Sequence, residues 1–225
     1  MPPKTLQHTR ECRDDLIETF RNRILEVAVP KVTHVSGKTE LVLPRRKFYP
    51  VEKLKKIFTI DNVRLILSHA CTDCPKHLPA NHPTHPSQHP EKVLETDASL
   101  NLFALLVLLR HPLLISIFLT GYELTSLPLP RYFSEYDLND RQFKHLPSRS
   151  REQLASGFQD QKWQFSVPVF TDGTFQSYQE GTILPFLDEE LIGKGGYGKV
   201  FKVWVHPSYC TVSPVQVSRP AQLHR

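Results

Sequence analysis

The chain has 225 residues, 40% of them apolar and 23% charged. That is enough to bury a core across one or two domains, and it excludes a wholly disordered chain. Five of the 28 basic residues but none of the 23 acidic ones lie beyond Glu190, so the net charge of +5 belongs to the last 35 residues and the rest is neutral. Nucleic-acid binding needs a basic face interleaved with reading residues, so no nucleic-acid partner is expected from a tail asymmetry. Four cysteines are too few for a disulfide scaffold of this length, and residues 1–10 lack the apolar stretch of a secretory signal. An intracellular setting, cytoplasmic or nuclear, is expected.

Residues 10–29 read as an amphipathic helix. Leu16, Phe20, Ile24 and Ala28 recur every four residues, Ile17 and Leu25 flank them, and Pro30 ends the run. Its polar face mixes both charge signs, as on a helix packed against a core and unlike a membrane-surface helix. Residues 31–49 read as extended and then loop-like. Two short helices follow, over residues 51–58 and 62–68, the second with Asp61 as its cap. Residues 69–90 are rich in His and Pro and read as a loop. Residues 96–119 are the most apolar stretch. As one span they would cross a membrane, but Arg110 and Pro112 would then sit near its centre. Two buried helices hinged at Pro112 fit better, the first capped by Asp97 or Ser99. Pro128 and Pro130 open a loop, residues 145–153 read as an exposed Arg/Ser segment, residues 163–167 alternate as a strand does, and residues 171–174 read as a turn.

The most informative motif is Gly193-x-Gly195-x-x-Gly198-x-Val200. Glycines at this spacing let a backbone approach phosphates, because no Cβ intervenes and positive φ is open. A dinucleotide fold would continue from Gly198 into a helix, with an acidic residue about 20 positions on. Here a β-branched and aromatic run follows, and no Asp or Glu exists after Glu190. A glycine turn between two strands fits both flanks.

The segment IGKGGYGKVFKV resembles the glycine-rich loop of eukaryotic Ser/Thr protein kinases. More loosely, residues 98–205 resemble the leader regions of kinases from filamentous fungi. The resemblance implies an ATP site in which Ile192 and Val200 sandwich the adenine. The stretch of Gly193, Lys194, Gly195, Gly196, Tyr197 and Gly198 would cover the phosphates. It also implies a parent activity, transfer of the ATP γ-phosphate to a protein hydroxyl. The rest of that machinery does not follow. No Lys occurs after Lys202, no acid after Glu190, and no HRD or DFG triplet anywhere. The phosphate-binding lysine, the catalytic Asp and the metal-holding Asp are therefore missing. Lys202 lies in the second strand and does not take the lysine's role. Catalytic incompetence and at best weak ATP binding are expected. The last 20 residues read as a kinase-like sequence that breaks off near His206.

The expected fold class is α+β. A mainly helical region over residues 1–160 precedes the first β-hairpin of a kinase-like N-lobe over 161–205, as an incomplete domain, and an irregular tail over 206–225. The alternative function is a non-catalytic module that binds a protein partner through the helical region. Two weaker constellations stand beside it. Cys71 and Cys74, followed by His77, His82, His85 and His89, have zinc-ligand chemistry but not zinc-finger spacing, and a His/Pro loop is expected instead. Asp188, Glu189 and Glu190 read as a solvated charge run before the glycine turn.

Overall fold

The computed structural model describes residues 4–30, 33–35, 38–40, 47–68, 90–121, 148–171, 178, 182–196 and 198–211. The His/Pro stretch from 69 to 89, with its Cys71, Cys74 and four histidines, lies outside them. So do Tyr197, the loop at 128–130, residues 172–174 of the expected turn and the tail beyond 211. The architecture is mixed α+β, a helical N-terminal region followed by an antiparallel β-hairpin.

Helix α1 spans Lys4–Glu26. Of the expected stripe Phe20 and Ile24 are buried, with Ile17 beside them, while Leu16 and Ala28 are half-buried and Leu25 is exposed. Short strands β1 (Val29–Pro30) and β4 (Lys47–Phe48) pair antiparallel, and β2 (Thr33–Val35) pairs with β3 (Lys38–Glu40). Helices α2 (Val51–Ile57) and α3 (Ile60–Ser68) follow. The cap of α3 is Thr59, whose Oγ1 accepts the Asn62 N–H at 3.3 Å. The sequence suggested Asp61, but that carboxylate sits within the first turn and pairs with Arg64 at 3.0 Å. Pro90 precedes the single turn of α4 (Glu91–Leu94).

Helix α5 (Asp97–Leu108) is the centre of the molecule. Thr96 and Ser99 cap it reciprocally, each side chain bonding the other's backbone N–H. Thr96 takes this position because it still has extended backbone, whereas Asp97 is already helical. Every residue from Ala98 to Leu108 is buried, which explains a helix apolar on all sides. Helices α1, α2, α4 and α6 (Ile115–Gly121) surround it. An aromatic chain ties three of these layers together. Phe20 stacks on Phe58 at 5.9 Å, and Phe58 meets Phe103 edge to face at 5.3 Å.

The expected hinge at Pro112 is real, and its geometry is specific. The His111 N–H bonds Leu106 O at 2.8 Å and the Arg110 N–H bonds Val107 O at 3.0 Å. These two bonds form a Schellman end, with Arg110 in the left-handed conformation at φ 66°. Pro112 then opens a 3-10 turn leading into α6. Arg21 Nε supplies a further donor to the end of α5, bonding Leu108 O at 2.9 Å, and Glu18 bridges Arg21 and Arg110. No helix among the described residues is long and apolar enough to cross a membrane.

One sequence expectation is extended beyond this point and one changes. Ser148, Arg149, Glu152 and Gln153 are exposed, as expected of that segment, and they begin helix α7 (Ser148–Gln161), which buries Leu154, Ala155 and Phe158 in the main core. Residues 163–167, expected as a strand, start as a 3-10 turn over Lys162–Gln164. Gln164, Phe165, Ser166 and Val167 are all buried, so the alternation in the sequence does not mark a solvent face. Phe165 stacks on Tyr49 at 4.5 Å within the main core, while Val167 enters a second cluster with Phe48, Ile183 and Tyr209. Consecutive Phe48 and Tyr49 therefore serve the two clusters in turn, as extended backbone allows.

Strands β5 (Phe186–Gly195) and β6 (Gly198–Val205) form the long C-terminal hairpin. Residues 206–211, read from sequence as the start of an irregular tail, are integrated into the fold. Pro207–Tyr209 forms a 3-10 turn and Tyr209 is buried. Phe170 bridges in parallel to Cys210.

Candidate functional site

The glycine motif occupies the tip of the β5–β6 hairpin. Gly195 faces Gly198 across the ladder as its last pair. Behind it Lys194 faces Lys199 and Gly193 faces Val200. Two register shifts interrupt the ladder, one between Phe186 and Asp188 and one between Leu191 and Gly193. The second makes Ile192 an extra residue beside the Gly193–Val200 pair, and such bulges re-aim side chains. Ile192 and Val200 are 61% and 59% exposed. Thus Ile192, Gly193, Lys194, Gly195, Gly196, Gly198 and Val200 come together at one end of one hairpin.

The positive φ that glycine makes available is not used here, while the space a Cβ would fill stays open at three positions. None of the described motif glycines adopts a left-handed φ. A Cβ at Gly195, Gly196 or Gly198 would meet nothing within 4 Å, and one at Gly193 would make only an ordinary contact with Val200. Neither the backbone nor the packing of the described residues requires glycine here. Glycine within a strand nevertheless costs about 0.5–1 kcal/mol relative to alanine.

The charges at the tip are also arranged at a cost. Lys194 and Lys199 are exposed and directly opposed, and like charges across a ladder repel. An anion at the tip would relieve that repulsion. Farther from the tip the pairing becomes complementary, with Glu190 opposite Lys202. Lys202 Nζ lies 4.6 Å from the Trp204 ring centroid. Asp188 Oδ1 accepts the Glu189 N–H at 2.8 Å, so part of the acidic run is structural. Among the described residues no group of three His, Cys, Asp or Glu side chains could hold a metal ion.

A second concavity escaped the sequence. Arg21 and Leu25 of α1, Lys47 and Tyr49 at β4, Leu108 of α5, Asp160 and Gln161 of α7, and Gln164 line a cleft of about 480 Å³. No spacing rule joins residues 21, 47, 108 and 160. The one local signal is the two glutamines and the aspartate in the sequence DQKWQ, polar residues at a turn where the helix gives way to buried chain.

No family model, no curated protein and no solved structure matches the chain.

Proposed function

We infer that the chain is a protein-kinase-like fragment whose glycine hairpin meets the phosphates of ATP weakly and does not transfer them. The observation that carries this reading is the open space above Gly195, Gly196 and Gly198. Nothing in the described fold uses their missing side chains, whereas a phosphate lying against the backbone would. The opposed Lys194 and Lys199 support the same reading, because they place two positive charges where the phosphates would lie. Ile192 and Val200, exposed on either side of Gly193, are available to an adenine ring. What makes a kinase turn over is absent from these residues. No carboxylate after Glu190 can hold Mg²⁺ or orient a hydroxyl, and no lysine follows Lys202. The test is a phosphotransfer assay on the purified chain with ATP, Mg²⁺ and a mixed protein substrate. No turnover above a Gly195→Ala/Gly198→Ala control is expected, and loop-dependent turnover overturns the reading.

One observation favours a second reading, that the hairpin binds another protein. Leu191, Phe201 and Trp204 are 50%, 42% and 41% exposed on a two-stranded sheet. Such sheets are marginal alone and present unpaired edges. Concentration-dependent association in sedimentation velocity, lost on Phe201→Lys, would support it.

A further inference from the structure

The two faces of the β5–β6 hairpin distribute their charges differently. Side chains alternate along a strand, so Lys199, Phe201 and Val203 share one face with their ladder partners Lys194, Leu191 and Glu189. Lys194 reaches this face because of the bulge at Ile192. It stands three residues from Leu191, an odd offset that an unbroken strand would send to the opposite face. From tip to base the face therefore runs two exposed lysines, the exposed pair Phe201 and Leu191, then Glu189 beside Val203. None of its three charged groups forms an ion pair among the described residues. On the opposite face Glu190 lies across from Lys202, so unlike charges already meet within the chain. Lys199 is two residues tipward of Phe201, and Glu189 is two residues baseward of Leu191, about 7 Å each way. Equal and opposite offsets about an apolar centre are what a twofold axis superposes.

We propose that this face docks on the same face of a second copy of the chain. The axis runs between the two hairpins and across their strands, so the tip of each lies over the base of the other. Leu191 and Phe201 then meet their own copies, and Glu189 of each copy faces the tip lysines of the other. Lys194 and Lys199, which repel each other across the ladder, gain an anion. A tip-to-tip arrangement would set lysines on lysines, so the charges fix the orientation as well as the partner. The face is small beside the roughly 1,200 Å² of a stable interface, so the dimer is reversible, with a Kd on the order of 0.1 mM. The proposal rests on the second reading above, that the hairpin binds protein, and names the partner.

The test is sedimentation equilibrium of the full chain and of two charge reversals, Glu189→Lys and Lys194→Glu/Lys199→Glu. The parent is expected to show a monomer–dimer equilibrium. Each reversal sets like charges against each other in its own dimer and should weaken association at least about tenfold, without lowering the melting temperature. An equimolar mixture of the two variants restores both unlike pairs, and should associate about as strongly as the parent. A parent chain that stays monomeric at every concentration overturns the proposal. Association that Phe201→Lys abolishes but that the mixture does not restore also overturns the twofold pairing, while leaving the hairpin as a protein-binding surface. Association indifferent to Phe201→Lys overturns both.

Discussion

Tyr209 joins chain segments some 160 residues apart. Its hydroxyl donates to Tyr49 O at 3.1 Å and accepts the Val51 N–H at 3.3 Å. Val51 begins α2, so its N–H has no partner within the helix and the phenol takes that place. Tyr209→Phe keeps the ring and strands both backbone groups, and should cost about 1–3 kcal/mol in urea unfolding. Asn101 is the opposite case. It is 99% buried in the apolar α5, and its Oδ1 has no partner among the described residues. Asn101→Leu should therefore leave stability unchanged or raise it by up to about 2 kcal/mol. A clear loss in the same experiment would mean that the amide does have a partner. These two residues also mark a limit of sequence reading. Tyr209 sits in a proline-containing, acid-free stretch with little periodicity, and its burial depends on β4, whose sequence position gives no hint of the contact.

At the scale of elements, the helices were legible and the turns between them less so. The burial of Phe20 and Ile24 and the break at Pro112 follow directly from spacing and from proline's missing N–H. Thr96 as a cap and Arg110 as the left-handed residue did not follow. Thr96 competes with Asp97 and Ser99 within four residues, and arginine is not a usual choice for positive φ. The apparent strand at 163–167 failed because both of its faces are buried, a pattern that alternation does not describe. The glycine hairpin was legible as two strands meeting at the glycines, but not its register, which two shifts interrupt. What could not be read was that its glycines lie in open space at ordinary φ. From this it follows that Gly195→Ala/Gly198→Ala should melt no lower than the parent and gain up to about 1 kcal/mol per site. A marked drop in melting temperature would make the glycines structural and remove the main support for a phosphate-facing loop.

For the whole molecule, two tyrosines and one histidine each add a pH dependence to stability. Burial pushes the phenols of Tyr49 and Tyr209 up to about 12 from 10.0. Between those values the folded chain retains protons that the unfolded chain releases, so stability should fall as pH rises above 10. At the acid end, His206 is held below its ordinary 6.5, first by burial and then by the charge of Lys53. Its Nδ1 also accepts the Ser208 N–H at 3.3 Å, a bond that protonation at that atom would break. Below pH 6.5 the unfolded chain takes up this proton more readily, and stability should fall with pH. A series of melting temperatures should show both limbs. His206→Asn, which keeps an acceptor without a charge, should flatten the acid one. The residues behind both limbs lie where β4, the 3-10 turn at Pro207–Tyr209 and the base of the hairpin meet, so the titration reports on the junction of the helical region with the β-hairpin.

The most direct test of the central claim is a titration of the isotope-labelled chain with ATP, followed through its backbone amide resonances. Shifts confined to Gly193–Gly198 and their cross-strand neighbours are expected, saturating with a Kd on the order of 1 mM. They should disappear in Gly195→Ala/Gly198→Ala. Absence of shifts at the hairpin tip, or shifts that persist in that variant, would contradict the reading of this loop as a phosphate-facing one.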